Sequence, residues 1–291
     1  MRITNNITNN IALQSQLRSS QKLNDATQVA STGERVNAPS DDPVAWSAAV
    51  SHDARIKRME RRTQTGERAA GDFDLAENVL ASAGDIMSQV QAIAVQASND
   101  PLTAAQRAAL GLQVSGLRDQ IIGLANSRGA SGFLFGGTRT DIEPFDPLGA
   151  FLGNDVPTNI EISDGVTARS NASGARAFTA AGGRDIFTDL QTLSTALAAN
   201  NMPAIRTAVG DIAAGHLQLV NGRVETGLRG EQIRSAAEVT GNALLATRIA
   251  RGNETGADLP SAISALSNAR ASYERSIAVT REILQVSAVQ R

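Results

Sequence analysis

The chain has 291 residues, 42% of them hydrophobic, and its 27 basic against 29 acidic side chains give a net charge of −2, which leaves neither a nucleic-acid nor an anionic-membrane footprint. The absence of cysteine excludes disulfides, zinc–thiolate centres and thiol nucleophiles together. Aromatic residues are only 3% of the chain, and five of the seven Phe (Phe133, Phe135, Phe145, Phe151 and Phe178) fall between Gly129 and Gly183, so helical ends held by aliphatic seams are expected around a small aromatic core.

The opening residues, Met1-Arg2-Ile3-Thr4-Asn5-Asn6, carry no continuous apolar stretch and no small-residue cleavage site, so no cleaved secretory signal peptide is expected. No run approaches the ~20 apolar residues of a membrane span. From about Asn5 to Thr32 good helix formers carry a loose stripe of Ile7, Ile11, Leu13, Leu17 and Leu23, and Gly33 supplies a stop. Such a stripe is marginal without a packing partner. Arg35 to Pro43 reads as an extended, turn-rich connector, in which Asp42 is a natural N-cap because Pro43 fits the first helical position. The Asp41-Asp42 pair has the chemistry of a hard-cation site as well, but capping accounts for it without a further ligand.

The next helix is expected over Pro43 to Ser98, roughly 80 Å if continuous. Along it Phe73, Ala76, Leu80, Ala83, Met87, Val90, Ala94 and Ala97 alternate steps of three and four, the a/d repeat of one narrow apolar seam. Asn99-Asp100-Pro101 breaks the pattern, Thr103 with Gln106 forms a capping box, and Leu110, Val114, Leu117, Ile121 and Leu124 repeat the seam. The short break predicts an antiparallel hairpin. Between Gly129 and Gly183, Gly, Asn, Asp and Pro cluster, and alternations such as Asn159-Ile160-Glu161-Ile162 predict strands. Helical signal returns at Phe187, Leu190, Leu193 and Leu197, then continues with interruptions from Ile205 to about Arg251. Gly252-Asn253-Glu254-Thr255-Gly256 reads as a loop, and a last helix from Pro260 towards Val289 carries Ile263, Leu266, Ala269, Tyr273, Ile277 and Leu284 on one side.

A search for chemistry finds little. His52 and His216, the two histidines, stand without a second ligand or a nucleophile at a useful spacing. Gly132-Phe133-Leu134-Phe135-Gly136-Gly137 is glycine-rich but lacks the lysine and the strand-to-helix context of a phosphate loop. The basic run Arg55, Lys57, Arg58, Arg61, Arg62 and Arg68 is interleaved with Asp53, Glu60 and Glu67, which fits a solvated face or a subunit contact. No catalytic constellation, metal site or cofactor site is expected.

Four segments together resemble the flagellin-like axial proteins of bacterial flagella: Ser31-Thr32-Gly33-Glu34-Arg35-Val36-Asn37, Pro39-Ser40-Asp41-Asp42-Pro43, the stretch Gln91 to Ser98, and Leu117-Arg118-Asp119-Gln120 leading to Leu124-Ala125-Asn126. Within that family, Gly132 to Thr138 followed by Glu143-Pro144-Phe145, and the stretch Asp258 to Tyr273, are more similar to members that join hook to filament than to filament flagellins. The resemblance implies a mainly α fold, a long antiparallel coiled-coil and helical bundle formed by both chain ends, with a small β-rich domain inserted in the middle. The implied divisions are 1–42 and 257–291 as inner assembly regions, 43–130 and 184–256 as the two parts of the bundle, and 131–183 as the outer domain. It also implies a structural, non-enzymatic adaptor exported through the flagellar type III apparatus, with copies of itself, a preceding hook-associated protein, flagellin and an export chaperone on the C-terminal helix as partners, and no nucleic acid or membrane. The residues expected at the assembly interface are Ile7, Ile11, Leu17, Ile263, Leu266, Tyr273, Ile277 and Leu284, and those of the bundle seam are Phe73, Leu80, Met87, Val90, Leu110, Val114, Leu117, Ile121 and Leu124. A short flagellin and a secreted coiled-coil adhesin or secretion-tip protein are the alternatives.

Overall fold

Local capping chemistry sets the helix starts. In the computed structural model, which describes residues 2–99 and 101–289, the Gln106 N–H donates to Thr103 Oγ1 at 3.3 Å and the Thr103 N–H donates to Gln106 Oε1 at 2.8 Å, a closed capping box that opens α3 (Ala104–Ala125). Asp42 Oδ1 accepts the Ala45 N–H at 3.1 Å and opens α2 (Pro43–Ala97). Gly33, at φ +71°, ends α1 (Arg2–Thr32) with the left-handed residue that only glycine adopts at little cost.

The remaining elements are two small hairpins, β1 (Arg128–Gly129) with β2 (Gly132–Phe133) and β3 (Asn159–Ser163) with β4 (Val166–Arg169), then α4 (Gly174–Phe178), α5 (Ile186–Ala198), α6 (Met202–Thr255) and α7 (Leu259–Val289). The chain is therefore mainly α, as the periodicity predicts. The segment 131–183, expected to be β-rich, holds three short strands, a one-turn α-helix, a 3-10 turn at Ala180–Gly182 and otherwise irregular backbone. Its Phe135, Phe145 and Phe178 are buried in the same core as the helices, and the compact unit it belongs to covers residues 59–243. A second unit comprises residues 1–58 and 244–291. α2 and α6 contribute residues to both.

α6 corrects one expectation: it runs without interruption through 252–255, where Gly and Asn predict a loop. The reason is tertiary. Arg251 donates to Asp53 at 2.6 Å and Glu34 at 2.8 Å, and the Thr255 carbonyl, left without a helical partner at the helix end, accepts the Arg35 N–H at 2.7 Å. Backbone groups satisfied in this way outweigh the ~1 kcal/mol that a glycine costs in a helix.

In the 59–243 unit, α2 and α6 run antiparallel, as the pairs Asp74–Arg234 at 2.6 Å and Glu77–Arg223 at 3.2 Å fix. All eight a/d residues of α2 from Phe73 to Ala97 are at most 2% exposed. α3 packs on α5 at Gly111, where a Cβ would stand 3.0 Å from the Ser194 carbonyl, and Ser194 Oγ donates to the Gly111 carbonyl at 2.9 Å. Arg62, reaching across to the β3–β4 turn, donates to Glu161 at 2.7 Å and to Asp164 at 2.6 Å. The aromatic core is a single cluster. Phe145 stands 5.1–5.5 Å from Phe151, Phe178 and Phe187, and Phe135 meets Phe178 edge-on at 5.3 Å. Leu117, 8% exposed, closes the core on the α3 side. Leu117→Ala should lower the unfolding free energy by about 2–5 kcal/mol, read from chemical denaturation of the purified chain.

Candidate assembly surface on the terminal helices

α1 and α7 lie side by side along their length. Their direction is antiparallel: Gly33 at the end of α1 stands beside Leu259 at the start of α7, and Ala12, Ser15 and Ser19 line one shallow groove with Ser272, Ser276 and Thr280. The seam between them is thin in apolar surface. On α1 its inward positions are Ala12, Gln16, Ser19, Leu23, Ala26 and Ala30, and only Ala12 among them is fully buried. On α7 the inward positions are Ala262, Leu266, Ala269, Tyr273, Ile277 and Thr280, with Ala262 fully buried. Small residues let the two backbones approach, but they bury little area, and at about 25 cal/mol per Å² that limits what the pair gains from itself.

Four of the large apolar residues of α1 lie outside this seam. Ile7, Ile11, Leu13 and Leu17 are 54%, 62%, 53% and 57% exposed, outside the α7 seam. On α7, Ile263 and Leu284 are more than half exposed as well. Of the eight residues expected at an assembly interface, Ile7, Ile11, Leu17 and Ile263 lie outside the α1–α7 seam, Leu266, Tyr273 and Ile277 face α1 and are half-buried, and Leu284, two turns beyond Ile277 on the same side of α7, is more than half exposed. Helical periodicity alone does not divide the two sets, because α7 has apolar residues around more than one side.

The connector between α1 and α2 is tied down by its acids. Asp41 Oδ2 accepts the Asn37 and Ala38 N–H groups, each at 2.9 Å, which holds its carboxyl below the usual carboxylate range. The backbone N–H of Ala45, and then the Arg35 guanidinium, do the same for Asp42. A depressed folded-state pKa stabilises above the unfolded value and is lost as pH falls through the folded one, so this turn is firm at neutral pH and loosens in acid. Both carboxylates are thereby occupied by backbone and arginine, and no group of three metal-ligating side chains exists among the described residues. His52 and His216 are half-buried helix residues, and among the described residues no helix is long and apolar enough to cross a membrane.

The bundle-seam residues lie in the 59–243 unit. Phe73, Leu80, Met87, Val90, Val114, Leu117 and Ile121 are buried, and Leu110 and Leu124 pack half-buried against the same core. Three buried residues have partners that the sequence did not reveal. Phe187, 1% exposed, joins the aromatic cluster from α5, where it was legible only as one step of an aliphatic stripe. Arg107, 5% exposed, donates to the carbonyls of Ala97 and Asn99 and to Asn200 Oδ1, capping the C-terminal end of α2. Arg118, 8% exposed, donates to Gln191 and the Pro147 carbonyl. A buried arginine that donates to carbonyls looks, in sequence, like any surface arginine.

Residues 3–140, which take in α1 to α3 and the clasped connector, match the family described as the bacterial flagellin N-terminal helical region. The chain is similar to flagellar hook-associated protein 3 of Salmonella typhimurium, 32% identical over 150 residues that cover 51% of this chain and 47% of that protein. The matched segment thus spans less than half the length of that relative. Flagellin FljO of Caulobacter vibrioides is 26% identical over 214 residues, 70% of each chain. Among solved structures, the flagellar junction protein FlgL from Legionella pneumophila shares the fold, with a TM-score of 0.57 and 14% identity over 72% of this chain and 99% of that one.

Proposed function

We propose that this flagellin-like chain is a structural adaptor at the hook–filament junction of the bacterial flagellum. The observation that carries the reading is the apolar surface of the paired terminal helices outside their seam: Ile7, Ile11, Leu17 and Ile263 are large, exposed and backed by a seam too thin to be an end in itself. Such a face is buried when other helices are laid alongside, and its occupants are copies of the chain, the preceding hook-associated protein on one side and flagellin on the other. Residues 1–42 and 257–291 form the inner assembly region in this reading, and 131–183 lies outermost. The work is burial of apolar surface and no reaction is catalysed. Export runs through the flagellar type III apparatus, with a chaperone covering the C-terminal helix beforehand.

The specific support for a junction role over a filament role is the hook-associated relative, whose identity to this chain is the higher, while the match to the Caulobacter flagellin extends over more of the chain and favours the filament reading. Deletion separates them. Cells lacking the protein should still build hooks and export flagellin, and the flagellin should be shed into the medium, as electron microscopy and immunoblotting of the supernatant would record. Full-length filaments on the hooks of the deletion strain would sink the junction reading.

A further inference from the structure

We propose that a cavity in the 59–243 unit, between α2, the 131–140 loop and the base of the β3–β4 hairpin, binds a neutral sugar ring. The cavity measures about 180 Å³ and draws on three stretches far apart in sequence. Its floor is apolar, with Ala69, Phe73 and Leu134 at 6%, 2% and 8% exposure.

The rim is polar, and most of its hydrogen-bonding capacity is unspent. The Arg68 guanidinium has no hydrogen-bond or ion-pair partner among the described residues. Asp72, one turn further along α2, accepts the Ala130 N–H on Oδ1 at 2.7 Å, which fixes its carboxylate at the cavity wall and leaves Oδ2 without a partner among the described residues. The hydroxyls of Thr65, Ser131, Thr140 and Thr158 are likewise unengaged among the described residues. Asn171 differs, since its amide accepts the Thr158 N–H at 2.9 Å and donates to the Val156 carbonyl at 3.2 Å; it shapes the wall and has little left for a ligand.

This combination selects a chemistry. One guanidinium and one carboxylate sum to zero charge, so the rim offers no net attraction to an ion. A ligand hydroxyl accepts from Arg68, another donates to Asp72 Oδ2, and the four protein hydroxyls serve in either direction. The apolar floor takes the C–H face of a ring. A small concave site with an apolar base and a few convergent polar groups is the usual form of a small-ligand pocket, and a pyranose-type ring carries its hydroxyls at the edge and its C–H groups on the face as this one requires.

The test is a titration of the purified full-length chain, followed by amide chemical shifts, with glucose, galactose, mannose and N-acetylglucosamine, their methyl glycosides, glucuronic acid and glycine. At least one neutral sugar should give saturable shifts at Gly132, Thr140 and Ser170, with a dissociation constant roughly in the millimolar range expected of so small a ligand. Retention of binding by the methyl glycoside marks the ligand as a residue of a glycan, and its loss marks a free sugar. Arg68→Gln should weaken binding about tenfold or more, as loss of a hydrogen bond to a charged group does. Because Asp72 also holds Ala130, Thr140→Val serves as the second variant, and both variants should keep the thermal melting midpoint. No saturable shift with any neutral sugar, stronger binding of glucuronic acid or glycine, or unchanged affinity in both variants would overturn the proposal.

Discussion

Ile11→Asp combined with Ile263→Asp should abolish incorporation into the flagellum while leaving the isolated chain folded. Both residues are more than half exposed in the single chain, 62% and 59%, so each substitution should change its stability by no more than about 0.5 kcal/mol. In the proposed assembly the same positions are covered. An unpaired carboxylate taken out of water costs several kcal/mol, and the cost recurs in every subunit. Leu266→Asp is the contrasting variant: it faces α1 and is half-buried, so it should loosen the α1–α7 pair in the isolated chain too, seen as lost helical signal on circular dichroism. Electron microscopy of complemented cells, with the exported protein quantified in the medium, reads the outcome. Normal assembly of the double variant would show that the outward face is not the one that associates.

Phe145→Ala should cost about 3–5 kcal/mol in unfolding free energy, the upper range for truncation of a buried aromatic. Phe145 is fully buried and stands within 5.5 Å of three other rings, so its removal leaves a cavity that several stiff side chains must collapse to fill. Its backbone is also pinned, because Asn126 exchanges two hydrogen bonds with it, at 2.8 and 2.9 Å, which restricts relaxation. Urea denaturation should show the midpoint displaced with the slope unchanged. Leu112→Ala, at a site 78% exposed on α3, should stay within about 0.5 kcal/mol and serves as the control.

What the sequence determined by itself was everything encoded within about one helical turn. The Thr103–Gln106 box, Asp42 ahead of Pro43 and the Gly33 stop each depend on groups at most four residues apart, and their geometry follows wherever the rest of the chain goes. The eight-residue seam of α2 was legible for a related reason, since a strict three–four alternation fixes one face of a helix and only burial can account for so narrow a stripe. Tertiary structure decided what depends on partners distant in the chain. Residues 252–255 became helix because Arg251 and Thr255 found Asp53, Glu34 and Arg35, roughly 200 residues away in sequence. Phe187 joined the aromatic cluster because α5 runs beside the 144–151 turns, and Arg107 and Arg118 were buried because carbonyl and amide oxygens converged on them. The division of the terminal stripe into an inward and an outward set followed from which side of α1 its partner α7 occupies. Helical period places apolar residues on a face but does not say which face another helix covers, and that choice is made by long-range packing alone.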